Sequence, residues 1–75
     1  MRELVEYMAR ELVDNPDQVK VRETGGSQNT TLYLHVAPDD MGRIIGKSGR
    51  VAGAMRILLR VAAIRQGRRA TLEIK

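Results

Sequence analysis

The residues of this chain best equipped for chemistry are Gly42-Arg43-Ile44-Ile45-Gly46-Lys47-Ser48-Gly49-Arg50. Spaced glycines, a lysine beside a serine and an apolar lead-in are the means by which a backbone holds phosphate. The loop of nucleotide hydrolases reads G-x-x-x-x-G-K-[ST] and lies between a strand and a helix. Here only Arg43, Ile44 and Ile45 separate Gly42 from Gly46, and 41–45 read as helix. No second strand is placed to bring a magnesium-holding aspartate. Spacing and context argue against a nucleotide enzyme.

What remains is a turn, Gly46-Lys47-Ser48-Gly49, between two helices. Two glycines let the backbone turn tightly and let a ligand approach without Cβ atoms in the way. A helix starting near Arg50 turns its free N–H groups and positive dipole end toward that turn. The arrangement suits a sugar-phosphate backbone, with Gly46 and Gly49 forming the turn, Lys47 and Arg50 meeting phosphates and Arg43 flanking them. Of Ile44 and Ile45, one is expected in the core and the other as the floor of a base-binding groove. Val51 has the same two options. The chain has two tyrosines and no Phe or Trp, so bases would rest on aliphatic side chains and not on an aromatic platform. With no cysteine and one histidine, no metal set is expected, nor any cofactor. Asp39 and Asp40 resemble a catalytic carboxylate pair, but neighbours on a helix diverge, and the positive end of the helix dipole accounts for both. No catalytic residue and no small-molecule substrate are expected.

The elements that must position the turn follow from periodicity. Leu4, Val5, Met8, Leu12 and Val13 recur at helical spacing over 2–13, and Asp14-Asn15-Pro16-Asp17 ends that helix. Val19 and Val21 alternate with Lys20 and Arg22 in a strand. A polar connection, 24–29, leads to a second strand with Leu32, Leu34 and Val36 inward and Thr31, Tyr33 and His35 outward. Pro38 opens a short helix, a long helix runs over 50–66 to Gly67, and 70–75 alternate as a last strand. The order α-β-β-α-α-β predicts an α+β two-layer sandwich, a three-stranded sheet covered on one face by three helices. Seventy-five residues make a single domain, 1–75. Such a domain buries only about 60% of its unfolded surface, which disfavours a deep catalytic cleft.

Charge divides the chain. Residues 1–41 carry four Lys/Arg against eight Asp/Glu, a net −4; residues 42–75 carry nine against Glu73 alone, a net +8. The turn lies in the basic half, a field suited to a polyanion. Glutamates interrupt the first helix, so no signal peptide is expected there. Val61-Ala62-Ala63-Ile64 is far too short to span a membrane. A cytoplasmic protein is expected.

I-I-G-K-S-G-R between two helices, after a strand, resembles the I-I-G-x-x-G signature of the KH domain. That loop clamps about four nucleotides of single-stranded nucleic acid. The element order resembles the type II, prokaryotic arrangement, and the resemblance covers the whole chain. V-A-P-D-D-M-G-R-I-I-G-K-S-G-R is also similar to the small bacterial KH proteins of the KhpA family. The resemblance implies a single-stranded RNA-binding protein, an RNA chaperone, acting as a homodimer or as a heteromer with a larger KH protein of the KhpB/Jag kind. It links the pair to cell shape and envelope synthesis. Ser48 sits at a variable position of the motif, and the implied clamp is Gly46, Lys47, Ser48 and Gly49.

The long helix carries more apolar surface than one sheet needs, since its apolar residues spread over more than half the circumference. The first helix could cover the surplus, or the surplus could make a dimer interface through Leu58, Leu59, Val61 and Ala62. The alternative function is therefore a protein-protein adaptor for which RNA is secondary.

Overall fold

The computed structural model describes residues 1–26 and 28–75. The expected hairpin connection 24–29 contains Ser27, which lies outside the described residues. The elements follow the expected order: α1 (Arg2–Leu12), β1 (Lys20–Gly25), β2 (Asn29–His35), α2 (Met41–Ile45), α3 (Arg50–Arg65) and β3 (Arg69–Ile74). Short 3-10 turns lie at Pro16–Gln18, Pro38–Asp40 and Lys47–Gly49. Two of them begin at prolines, whose fixed φ suits a first turn and whose missing N–H is not needed there.

The three strands form one mixed sheet in the order β1-β2-β3. β1 and β2 are antiparallel, with Val21 opposite Leu34 and Arg22 opposite Tyr33. β2 and β3 are parallel, with Asn29 beside Arg69 and Leu32 beside Leu72. A parallel pair needs a long crossover, and here α2, the glycine turn and α3 supply it. The fold class is the expected α+β, with the helices on one face of the sheet. On that face Leu32, Leu34 and Leu72 meet Val5 and Ala9 of α1, Ile44 of α2, and Met55 and Leu59 of α3, all buried. Each fully buried Leu, Ile or Met contributes about 1.5–3 kcal/mol. The period-2 alternation of the strands and the 3.6-residue period of α1 and α3 converge on one core for this reason. No helix among the described residues is long and apolar enough to cross a membrane.

α3 closes cleanly. Its C-terminal carbonyls are taken by backbone donors, Gly67 N–H to Ile64 O at 3.0 Å and Arg68 N–H to Ala63 O at 2.9 Å. At the sheet margin Arg56 Nε donates to Leu72 O at 3.3 Å, tying α3 to β3.

One expectation for α3 fails. Leu59 is 1% exposed and belongs to the core, so it offers nothing to a second chain. Leu58 and Val61 are about half exposed, and Ala62 is half-buried. Spacing along α3 did not separate these neighbours because apolar residues surround most of the helix.

Candidate nucleic-acid interface

The glycine turn is built from three unusual backbone conformations in four residues. Gly46 has φ 73° and ψ 176°, a region open in practice to glycine alone. Ser48 (φ 57°, ψ 26°) and Gly49 (φ 75°, ψ 15°) are left-handed, and Ser48 is the one non-glycine residue with positive φ among the described residues. Gly46 is required twice over. A Cβ there would stand 2.4 Å from Val51 Cγ2 and 2.8 Å from Val51 Cβ. At Gly49 a Cβ would meet nothing within 4 Å, so backbone conformation is the whole demand.

Hydrogen bonds close the turn on both sides. Gly46 N–H donates to Gly42 O at 2.8 Å and Gly49 N–H to Gly46 O at 3.2 Å. The N–H groups of Lys47 and Ser48 come before the first bond of the 3-10 turn, as the opening donors of any helical turn do. Lys47, Ser48 and Arg50 are exposed, whereas Gly46, Gly49 and Val51 are half-buried. The isoleucine pair divides as expected: Ile44 is fully buried and Ile45 is 41% exposed. Ile44 thus anchors α2 in the core and leaves Ile45 beside the turn.

The head of α2 is fixed by a side chain that helix-dipole chemistry does not explain. Asp40 is 1% exposed and makes no cap bond to its own helix. It accepts from Asp14 N–H at 3.0 Å, Asn15 N–H at 3.0 Å and Asn15 Nδ2 at 3.1 Å. The expected role of Asp40 at the positive end of a dipole gives way to that of a staple between the α1–β1 connection and α2. Arg43, one turn on, reinforces it: Nη2 lies 3.0 Å from Asp14 Oδ2 and Nε 3.9 Å from Asp40 Oδ1. The expected phosphate-flanking role of Arg43 therefore competes with an ion pair inside the protein. No sequence signal marks Asp40 as a positioning residue, since its partners lie 25 and 26 residues away.

The Asp14 N–H is the largest cause holding the Asp40 carboxyl below its ordinary pKa. Burial opposes it, and Asn15 and Arg43 add to the lowering. A group with a lowered folded-state pKa stabilises the fold above its unfolded value of about 3.9. That contribution disappears as pH falls through the lower folded value. Melting curves between neutral and strongly acidic pH should show this acid limb, and Asp40→Asn should flatten it and lower the neutral-pH melting temperature. An acid limb unchanged in Asp40→Asn would assign the loss to other carboxylates.

Among the described residues the ion pairs are Arg2–Glu6, Arg10–Glu6, Arg43–Asp14 and Arg43–Asp40. None involves Lys47 or Arg50. The site is therefore a rigid turn on a stapled helix, at the start of a 16-residue helix, with two cations free of carboxylate partners and an exposed isoleucine beside them. No group of three metal-ligating side chains occurs among the described residues.

The family described as KhpA/KhpB, KH domain, matches residues 2–74. The chain belongs to this family. It is 47% identical over 74 residues to the RNA-binding protein KhpA of Clostridium acetobutylicum, covering 99% of both chains. To the RNA-binding protein KhpA of Caldanaerobacter subterraneus subsp. tengcongensis it is 50% identical over 74 residues, again 99% of each. The protein of that name from Aquifex aeolicus is 42% identical over 74 residues, 99% of this chain and 94% of the relative. No solved structure gives a significant match. The matched residues include α2, the glycine turn and α3.

Proposed function

We propose that this chain is a non-catalytic, single-domain protein that binds single-stranded RNA by gripping its backbone with Gly46-Lys47-Ser48-Gly49. The observation that carries the reading is the backbone of that turn. Three positive-φ residues within four, Gly46, Ser48 and Gly49, hold the N–H groups of Lys47 and Ser48 in one conformation before any ligand arrives, and a pre-organised anion cradle needs that. Lys47 and Arg50 meet phosphates, and Ile45 with Val51 supplies the aliphatic surface for bases. Arg43 contributes field while bonded to Asp14, and Ile44 supports the floor from below. Kinship with proteins named RNA-binding protein KhpA supports the polymer class. We extend the reading, on the resemblance of the glycine motif to the KhpA family, to a cytoplasmic RNA chaperone acting as a homodimer or with a larger KhpB/Jag-type KH protein, in control of cell shape and envelope synthesis. The test is titration of single-stranded RNA against the charge-reversed turn, Lys47→Asp with Ser48→Asp.

One observation favours a second reading, the adaptor. Ile57, Leu58, Val61 and Ile64 of α3 and Tyr7 of α1 are 47–66% exposed. So many large apolar side chains on one small domain mark an association surface. Light scattering across a concentration series should show self-association that Val61→Asp abolishes while the fold is kept. RNA binding that persists in the resulting monomer would assign association and RNA binding to separate surfaces.

A further inference from the structure

The face of the sheet turned away from the helices is not a neutral solvated surface. The register puts Lys20 opposite His35, Arg22 opposite Tyr33, and Glu73 beside Tyr33. Arg22 Cζ and Lys75 Nζ each lie 5.0 Å from the centroid of the Tyr33 ring. The two charges are thus no more than about 10 Å apart, twice that radius. Cation–π attraction, worth about 0.5–1 kcal/mol at an exposed site, favours both side chains in this position, so less of their freedom is lost when a ligand takes them. Lys75 is also held through its backbone, N–H to Leu34 O at 2.8 Å. Lys20, Arg22, Tyr33, His35 and Lys75 line a shallow pocket of about 240 Å³. None of these cations takes part in an ion pair among the described residues, and Glu73 is the one carboxylate that the strand register puts beside the ring.

Topology brings this cluster to the same end of the molecule as the glycine turn. β2 and β3 are parallel and end at His35 and Ile74. From the end of β2 the chain enters α2 and the turn, and α3 then carries it back, about 24 Å at helical rise, to the start of β3. The turn and the Tyr33 cluster therefore share the C-terminal end of the strands, on opposite layers. A strand of RNA leaving the turn can pass around that end onto the open face.

We propose that this face is a second RNA-contact surface, where Arg22 and Lys75, braced on Tyr33, bind phosphates of the strand that leaves the glycine turn. The proposal rests on the RNA reading above, and its test separates the two. Two RNAs are titrated by fluorescence anisotropy, one of about four nucleotides, the reach of one KH loop, and one about three times longer. At physiological salt, where screening acts over about 8 Å, Arg22→Glu with Lys75→Glu should bind the short RNA like the parent. It should bind the longer RNA about tenfold more weakly, with the log–log salt slope reduced by about 1.4 for two lost phosphates. Tyr33→Phe should keep the longer-RNA affinity, and Tyr33→Leu, which removes the ring, should lose part of it. Parent-like binding of the longer RNA by a folded Arg22→Glu, Lys75→Glu protein overturns the proposal. Saturable binding of poly-glutamate at this face, lost in the same variant while RNA binding is kept, overturns it in favour of an acidic protein partner. Unimpaired binding of both RNAs by Lys47→Asp, Ser48→Asp would instead remove the RNA clamp itself.

Discussion

Gly46→Ala should lower the melting temperature by on the order of 20 °C, a large fraction of the stability of a domain of this size. Two independent terms add. The conformation at Gly46, φ 73° and ψ 176°, costs about 1–3 kcal/mol for a residue with a Cβ. The added methyl group also has to displace Val51, whose Cγ2 lies 2.4 Å from its position, an overpacking term of about 1–3 kcal/mol. Gly49→Ala meets only the first kind of demand, since nothing lies within 4 Å of its Cβ position. Its cost is about 1–2 kcal/mol, or on the order of 8 °C for a domain of this length. The pair is therefore diagnostic when followed by circular dichroism melts. Val51→Ala in the Gly46→Ala background should recover only part of the steric loss, because it removes Cγ2 but leaves the residue 51 Cβ 2.8 Å from the new methyl group, and the backbone part should remain. Equal losses at Gly46 and Gly49 would mean that the turn does not have the asymmetry described.

The second large effect is on binding. Lys47→Asp with Ser48→Asp changes the charge of the turn by three units and should weaken single-stranded RNA by about a hundredfold or more at low salt. The parent should lose affinity with salt at a log–log slope of about −1.4 to −2.8, corresponding to two to four neutralised phosphates, and the variant should show a shallower slope. The fold should survive both changes. Lys47 and Ser48 are exposed, and aspartate is among the few residues that tolerate the left-handed conformation found at position 48. Parent-like affinity in a variant with a native melting curve would sink the clamp.

The elements were legible because each obeys a local rule. Proline-bearing breaks at Pro16 and Pro38, the 3.6-residue spacing of α1 and the alternation of β2 each set a period that tertiary packing then preserved. The glycine turn was legible for the same reason, as its demands lie on adjacent residues. What the sequence hid is what depends on distant partners. Asp40 looked like helix-start chemistry because Asp14 and Asn15 lie far back along the chain. Arg43 looked like a free phosphate ligand for the same reason. Leu59 could not be told from Leu58 on a helix that is apolar around most of its circumference; packing against the sheet decided between them. Ser48 carries no glycine to advertise its positive φ, and the bracing of Tyr33 by Arg22 and Lys75 depends on a strand register that no single strand contains.

The parallel pairing of β2 with β3 has a kinetic consequence. Asn29 and Arg69 are neighbours in space, so a loop of about forty residues must close before any β3 contact rewards it. Leu72, the buried residue of β3, joins the core only at that step. The mixed sheet therefore raises the contact order of a small protein above that of a helical bundle, and folding should take longer than the microseconds such bundles can reach. Until β3 docks, the apolar faces of α3 and β2 stay exposed together. Pairing of β3 with β2 is therefore the long-range step on which the folding rate of this domain depends.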